Sequence, residues 1–285
     1  MTNKKYTLIT GASEGFGKAL AIECATRKMN LVLVALPGPE IFYLADFIKC
    51  NYNVDVIGIE ADLSMEENYI MVFNLIQELG IAVNMLINNA GLGGTMLFSE
   101  GPISFYKKQI KLNILATTLL THLFLDTLKT NGPSYILNVG SLSSYFFLPK
   151  KQVYGATKSF IYCFSKSLNR ELKKSNISVS VICPGNMNTN ISVTQLIKTS
   201  NWFSRHSVMN PEDVAPVAID GLLSKKEVII PGRLNKIFLL MNTLLPSFIK
   251  KTLIGRQMNT LKSVTATELK EKTILFTEIQ NSLTA

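Results

Sequence analysis

Two patterns of hydrophobic and polar positions alternate along the chain. Short runs rich in β-branched residues indicate buried strands, and longer segments with apolar positions three and four residues apart indicate helices. The predicted strands are residues 6–10, 31–35, 54–60, 84–88, 134–140, 178–183 and 227–230. The predicted helices are residues 15–28, 39–50, 64–79, 103–130, 153–175 and 211–224. This order predicts an α/β fold, a doubly wound parallel sheet of about seven strands with helices on both faces.

A glycine-rich turn, TGASEGFG at residues 10–17, joins the first predicted strand to the first helix. Gly11 permits a tight turn, Gly15 lets the backbone approach a pyrophosphate, and Gly17 lets the helix pack close to the strand. Phosphates bound there would meet the free N–H groups and the dipole of a helix amino terminus. An ordinary glycine-rich turn has a similar pattern, and the missing GK[ST] argues against a P-loop.

Tyr154 and Lys158 are four residues apart, so a phenol and an amine share one helix face, and Ser141 lies thirteen residues before Tyr154. A free tyrosine has a pKa near ~10 and a free lysine near ~10.4, so neither transfers protons well at neutral pH. Near the positive charge of a nicotinamide, the ammonium would favour the phenolate and lower the tyrosine pKa. The same spacing also occurs in ordinary amphipathic helices.

Together these motifs resemble the short-chain dehydrogenase/reductase family, and the resemblance covers roughly residues 6–230. Further positions match the family's markers in the family's order. They are Asp62, Asn88, Asn89, Ala90, Gly91, Asn113, Pro184, Gly185 and Thr189. The resemblance extends to the 3-oxoacyl thioester reductases and hydroxysteroid dehydrogenases of the family.

The resemblance implies a Rossmann-type domain that binds a nicotinamide dinucleotide. Asp62 matches the acid that contacts adenine, and Pro184-Gly185 with Thr189 matches the segment beside the nicotinamide. The full set of implied cofactor-binding residues is Gly11, Ser13, Gly15, Phe16, Gly17, Asp62, Asn89, Ala90, Gly91, Tyr154, Lys158, Pro184, Gly185 and Thr189.

The resemblance also implies a catalytic set for interconverting a carbonyl and a secondary alcohol. Tyr154 is expected to donate the proton, and Lys158 to lower the Tyr154 pKa and bond the nicotinamide ribose. Ser141 is expected to orient and polarise the carbonyl. Asn113 is expected to hold a water that links Lys158 to solvent.

The end of the second predicted strand bears on the choice of cofactor. An NAD-preferring site places an acid there to bond the ribose hydroxyls, but the chain has Ala35-Leu36-Pro37. The arginine of many NADP-binding relatives is missing from this place as well, and Ser13 remains as a hydroxyl donor. The missing acid favours NADP(H) over NAD(H).

Apolar residues cluster in the segments that should border the substrate pocket. They are Leu92, Met96, Leu97, Phe98, Leu142, Tyr145, Phe146, Phe147, Leu148 and Met187, with Trp202 and Phe203 in a later loop. Core or subunit contacts would explain any one of them. As a set they favour a lipid-like or steroid-like carbonyl over a sugar.

Composition narrows the classes of protein. The hydrophobic share of 47% suffices for a large core, and the net charge of +9 fits solubility, an acidic ligand or an anionic membrane surface. The four scattered cysteines predict buried thiols in a reducing compartment, and two histidines give no support to a metal site. There is no apolar run of about 20 residues, and we expect no nucleic-acid module and no signal peptide. We therefore expect a cytoplasmic protein, with association with a membrane surface as the alternative.

Domain 1–232 is expected to bind cofactor and carry out catalysis, and residues 233–285 form an apolar and basic extension. Residues 233–262 hold six basic residues and no acid, and residues 237–249 are largely apolar. A helix of that length is too short to span a bilayer. A lid or subunit contact, a helix in a membrane interface, and a loosely held tail all fit.

Two other classes of function compete with an enzyme acting on an apolar carbonyl. One is a dinucleotide-binding sensor or scaffold without turnover, against which the complete catalytic set argues. The other is a membrane-docked protein whose extension dominates its role. The two longest predicted helices, around Asn113 and Tyr154, resemble those that pair between subunits in the family, which implies a homodimer or homotetramer.

Overall fold

The computed structural model of the chain describes residues 4–188 and 208–244. Its strands are β1 (Lys5–Thr10), β2 (Asn30–Ala35), β3 (Val56–Glu60), β4 (Ala82–Asn88), β5 (Ser134–Val139), β6 (Ile177–Ile182) and β7 (Val228–Ile229). All pair in parallel in one sheet, in the order β3-β2-β1-β4-β5-β6-β7. The predicted doubly wound parallel sheet of seven strands is confirmed, although β7 is shorter than predicted.

Helices connect the strands. They are α1 (Gly15–Thr26), α2 (Glu40–Tyr52), α3 (Glu66–Glu78), α4 (Ile103–Ile110), α5 (Thr117–Thr130), α6 (Gln152–Glu171), α7 (Pro211–Leu223) and α8 (Arg233–Leu244). Short 3-10 turns span Leu142–Tyr145 and Leu172–Lys174.

The prediction of one uninterrupted α-helix over residues 103–130 is wrong at its centre. A π-helical segment, Lys111–Ala116, joins α4 to α5. A π turn accommodates an extra residue, so it changes which side chains face the sheet, and such turns concentrate at functional sites. Here the segment contains Asn113, whose side chain is only 1% exposed.

Helices cover both faces of the sheet. Leu8 and Leu86 pack on one face with the layer of α3 and α5, which includes Phe124. Ile9 and Ile87, their neighbours in sequence, pack on the other face with α1, α2 and α7. Because both faces are buried, the central strands are nearly continuous hydrophobic runs, as parallel sheets require.

The strand order reverses at β1, which pairs with β2 on one side and β4 on the other. At such a switch point the connections leave in opposite directions, and the carboxyl ends of the strands open into a crevice where ligands bind. The glycine turn follows β1 and residues 89–91 follow β4, so both predicted cofactor motifs border this crevice.

The chain divides into two compact units, Met1–Ile237 and Phe238–Ala285. In the first unit Asn235 is 1% exposed, and its amide donates to the Pro231 carbonyl at 2.9 Å. Residues just after the predicted boundary at 232 therefore pack into the first unit. Over the ranges that the structure describes, no helix is long and apolar enough to cross a membrane.

Candidate active site

The glycine turn forms a cradle against the ends of β1 and β4. Gly11 and Gly15 have φ angles of +62° and +53°, the left-handed region that favours glycine. A Cβ on Gly17 would clash with the Gly11 carbonyl oxygen. Glu14 caps α1 without a side-chain hydrogen bond, so its carboxylate leaves the N–H groups of the first turn to a ligand.

Asn89 locks this cradle in place. Its amide donates to the carbonyls of Thr10 and Gly11, at 2.9 and 3.0 Å. The Thr10 hydroxyl accepts the N–H groups of Asn89 and Ala90, each at 3.0 Å. These hydrogen bonds join the two strand ends. Thr10 was missing from the candidate set, although it opens the glycine motif.

The other predicted residues of the cradle differ in what they can offer. The Phe16 side chain lies in the core, 4% exposed, so only its backbone faces a ligand. Ser13 keeps partial exposure, and Gly91 is exposed at the mouth of the crevice.

Asp62 lies just beyond β3 and is already engaged by its neighbours. Its carboxylate accepts the backbone N–H and the hydroxyl of Ser64, at 2.9 and 2.7 Å. Lys108 approaches the second oxygen at 3.4 Å. Burial raises the pKa of Asp62, but the hydrogen bonds from Ser64 and the charge of Lys108 outweigh it, so the pKa lies below its ordinary value. The carboxylate is therefore ionised and held at the edge of the crevice.

Lys158 is the most constrained charged group of the candidate site. Its side chain projects from α6 to the end of β5, where the ammonium donates to the Val139 carbonyl at 2.7 Å. The residue is 6% exposed, and burial lowers the pKa of its ammonium to about 8. In the part of the chain that the structure describes, no carboxylate forms an ion pair with it.

Ser141 and Tyr154 meet beside this lysine, where hydrogen bonding from the Ser141 hydroxyl acts to lower the pKa of Tyr154. Burial raises the pKa of Tyr154, and the bond to Ser141 offsets this only in part. The Lys158 ammonium lies 5.9 Å from the centroid of the Tyr154 ring. The expectation that Lys158 lowers the Tyr154 pKa beside a bound nicotinamide stays a prediction. Ser141 is fixed as well, since its Oγ accepts the Ser143 N–H at 3.1 Å.

Asn113 reaches this set from the π-helical segment. Its Oδ1 accepts the Leu92 N–H at 2.7 Å, and its amide donates to the Leu92 carbonyl at 3.1 Å and to the Thr157 hydroxyl at 3.0 Å. A Cβ on Gly91 would lie 3.3 Å from Asn113 Oδ1 and 3.4 Å from Lys158 Nζ. Both polar atoms therefore lie beside Gly91. The structure therefore brings together Asn113, Ser141, Tyr154 and Lys158.

The segment after β6 closes the site from another side. The Pro184 carbonyl accepts the Leu142 N–H at 2.9 Å, which ties this segment to the turn after Ser141. A Cβ on Gly185 would lie 2.9 Å from the Asn235 amide. Asn235 was not among the predicted site residues, and no sequence signal places it here. Thr189, Trp202 and Phe203 lie outside the described residues.

The predicted apolar lining divides into exposed and buried parts. Phe147 and Phe98 are exposed, and Phe98 stacks on Tyr106 with ring centroids 5.3 Å apart. Tyr145 instead packs on Tyr162, at 4.9 Å between centroids, in a small cluster with Cys183. Tyr145 therefore packs against Tyr162 and Cys183 rather than lining the exposed part of the pocket.

The prediction of four buried thiols is correct for only two of them. Cys24 and Cys183 are buried, and burial raises the pKa of each thiol to about 12. Cys50 and Cys163 are exposed on α2 and α6. The apolar run around Cys163 lies partly on the helix surface, where Phe160 and Phe164 stack.

Comparison with known proteins shows the family to which the chain belongs. A model of the family described as short chain dehydrogenase matches residues 5–198. The NADP-dependent 3-hydroxy acid dehydrogenase of Schizosaccharomyces pombe is 30% identical over 236 residues, 81% of this chain and 91% of that protein. The very-long-chain 3-oxoacyl-CoA reductase of Mus musculus is 30% identical over 184 residues, which are 63% of this chain and 58% of that protein.

Among solved structures, a short-chain dehydrogenase from Sphingobium yanoikuyae in complex with NADPH superposes with a TM-score of 0.73. It is 28% identical, and the match covers 90% of this chain and 95% of that one. The chain belongs to the short-chain dehydrogenase family. It is an oxidoreductase that acts on CH–OH groups with a nicotinamide dinucleotide, and the glycine cradle fits the phosphates of that cofactor.

The close approach at Gly17 gives a first prediction. Gly17→Ala should lower the free energy of unfolding by about 1–3 kcal/mol, because the added methyl has no room, and should weaken NADPH binding at least about tenfold. Replacing glycine with alanine inside a helix usually stabilises a protein. A fall in the free energy of unfolding would therefore point to the close approach at Gly17. Urea unfolding and fluorescence titration measure the two effects.

Gly93→Ala is the matched control, because a Cβ there meets no atom within 4 Å. Equal stability and NADPH affinity in the two variants would contradict the assignment of the cradle.

The burial of Lys158 gives a second prediction. Lys158→Met should raise the free energy of unfolding at pH 7 by about 1–3 kcal/mol while removing activity, because methionine avoids burying a charge. The folded lysine has a pKa of about 8, below its ordinary 10.5. Between these values the unfolded state binds more protons, so wild-type stability rises with pH and the gap between the proteins narrows.

Urea unfolding at pH 7 and near pH 10 measures this gap, with Lys174→Met as a control at an exposed lysine. A gap of the same size at both pH values would contradict the account of a charged, buried Lys158.

Proposed function

We propose that the chain catalyses the NADPH-dependent reduction of an apolar ketone, either acyl or steroid-like, to a secondary alcohol. The observation that carries the proposal is the meeting of Ser141, Tyr154 and Lys158 at the end of β5, beside the cradle at the β1–β4 switch point. When bound, the nicotinamide dinucleotide supplies the hydride.

The three side chains have separate roles in the proposed reaction. Ser141 donates its hydroxyl to the substrate carbonyl and orients it, as an oxyanion donor does. Tyr154 Oη donates the proton to the same oxygen as negative charge develops there. The neutral phenol is the form needed for donation, and the raised pKa of Tyr154 keeps it protonated at neutral pH.

Lys158 and Asn113 support proton transfer in this proposal. The Lys158 ammonium, fixed by the Val139 carbonyl, stabilises the phenolate that forms when Tyr154 gives up its proton. Asn113 Oδ1 has one acceptor site beyond its bond from the Leu92 N–H. A water on that oxygen would connect Lys158 to solvent and return the proton.

Apolar residues around the crevice support an apolar substrate. The loop after β4 and the turn after β5 are joined by a hydrogen bond from the Met96 N–H to the Lys150 carbonyl, 2.9 Å long. Both segments are rich in apolar side chains. The long-chain 3-oxoacyl substrate named for the mouse relative has the same character.

The turn after β2 supports NADP(H) over NAD(H). No acid follows β2: Leu36 stands there, 58% exposed. One carboxylate at this edge is engaged, since Glu60 accepts the Gly38 N–H at 2.8 Å. The yeast relative is named as NADP-dependent, and the Sphingobium structure contains NADPH.

Assembly and membrane contact remain proposals of wider scope. We infer a homodimer or homotetramer, because members of the family generally form oligomers. Peripheral membrane contact through residues 233–262 stays a prediction, because residues 245–262 lie outside the described residues.

A third prediction tests the role of Tyr154. Tyr154→Phe should lower kcat for ketone reduction at least about 100-fold, because the proton donor is gone, while NADPH binding survives. Tyr43→Phe, an exposed tyrosine on α2, is the control for loss of a hydroxyl. NADPH oxidation across a panel of 3-oxoacyl thioesters and ketosteroids measures the effect. Turnover of the variant within tenfold of the wild type would refute the assignment.

A fourth prediction concerns cofactor choice. NADPH should bind at least about tenfold more tightly than NADH, because no acid at the end of β2 bonds the ribose hydroxyls or repels a 2′-phosphate. Titration of the protein's fluorescence with each cofactor gives both dissociation constants. Tighter binding of NADH would show that the preference is wrong and would leave the reductase proposal standing.

A further inference from the structure

A second lysine lies against the catalytic tyrosine. Lys151 caps α6 one turn before Tyr154, and its Nζ lies 5.9 Å from the centroid of the Tyr154 ring. The Nζ of Lys158 lies at the same 5.9 Å from that centroid. Two ammonium groups therefore border one phenol ring, and the proposed reaction uses only Lys158.

The charge of Lys151 has no carboxylate partner in the described ranges. Its ammonium forms no ion pair there, and burial lowers the pKa of that ammonium. No acidic residue occupies the first turn of α6, whose dipole is positive at this end. A half-buried cation at such a position costs free energy, and departures from local preference of this kind are expected at functional sites.

The backbone around Lys151 is firmly held at the mouth of the crevice. The Lys151 carbonyl accepts the Gly155 N–H at 2.7 Å, and its own N–H donates to the Leu148 carbonyl at 3.3 Å. The preceding residue, Lys150, accepts the Met96 N–H from the loop after β4. The backbone of Lys151 is thus fixed, while its flexible side chain can reach a substrate that is hydrogen-bonded to Tyr154.

We propose that Lys151 binds a carboxylate of the substrate, so that the preferred substrate is an apolar oxo acid with its carboxylate a few bonds from the reacting ketone. This inference rests on the proposed reductase function of the same site. With the ketone oxygen on Ser141 and Tyr154, the carboxylate lies toward Lys151 and the hydrocarbon chain lies along the apolar loops.

A carboxylate suits this position better than a neutral group does. It gives the Lys151 ammonium a charge-assisted hydrogen bond inside the closed complex. An ester or thioester in the same place accepts a hydrogen bond but leaves the positive charge uncompensated, at the cost of its desolvation. Lys151 therefore discriminates by charge between substrates that share one carbon skeleton.

The test compares a medium-chain 3-oxo acid with its methyl ester, using NADPH and four proteins. Wild type should prefer the acid by about 10- to 100-fold in kcat/KM, the range expected for one charge-assisted hydrogen bond. Lys151→Met should lose this preference, mainly through a higher KM for the acid. Lys151→Arg should retain most of it, and the exposed Lys174→Met should behave like wild type.

Three outcomes would overturn the inference. If the ratio of kcat/KM for the acid to kcat/KM for the ester is the same in wild type and Lys151→Met, then Lys151 does not bind the carboxylate. An equal fall in kcat for both substrates would show that it acts on Tyr154 instead. In both cases turnover of the ester keeps the proposed reductase function intact. No turnover of either substrate, or of any ketone in the panel above, would overturn both proposals together.

Discussion

The burial of one positive charge constrains the rest of the site. The Lys158 ammonium is removed from water at the end of β5 and bonded to a main-chain carbonyl, with a pKa lowered to about 8. Burying an ion without a counter-ion is costly, so the fold around it must be rigid. Helix α6 supplies the lysine, β5 supplies its acceptor, and the π-helical segment brings Asn113 beside it. Burial of the Lys158 ammonium therefore lowers the stability of the folded protein, and it places a positive charge next to Tyr154.

The sheet provides that rigidity and sets where the cofactor can bind. Reversal of strand order at β1 opens the crevice, and Asn89 with Thr10 bonds the ends of β1 and β4 together. The glycine cradle is thereby held in register with β5 and Lys158. One crevice combines a place for phosphates with Tyr154 and Lys158, and this combination, more than the fold, indicates carbonyl chemistry.

The sequence predicted what depends on local pattern and on ordered motifs. The seven strands, the glycine turn and the Tyr154–Lys158 pair follow from hydrophobic period and spacing, and the structure contains them all. The sequence did not predict the π turn, because helical periodicity hides one extra residue. It also gave no sign of Asn235, whose partner Gly185 is distant in sequence. Lys151 gave no sequence signal either, since only folding shows that its charge is half-buried and unpaired in the described ranges.

We propose that this set of side chains reduces a ketone with hydride from NADPH. The most direct measurement mixes the protein with ketones and NADPH that carries deuterium at both positions of nicotinamide C4, and analyses the alcohols by mass spectrometry. We expect one deuterium on the carbinol carbon in the wild-type product and almost no alcohol from Tyr154→Phe. Bound NADPH with no labelled alcohol from any ketone, or equally rapid labelling by Tyr154→Phe, would contradict it.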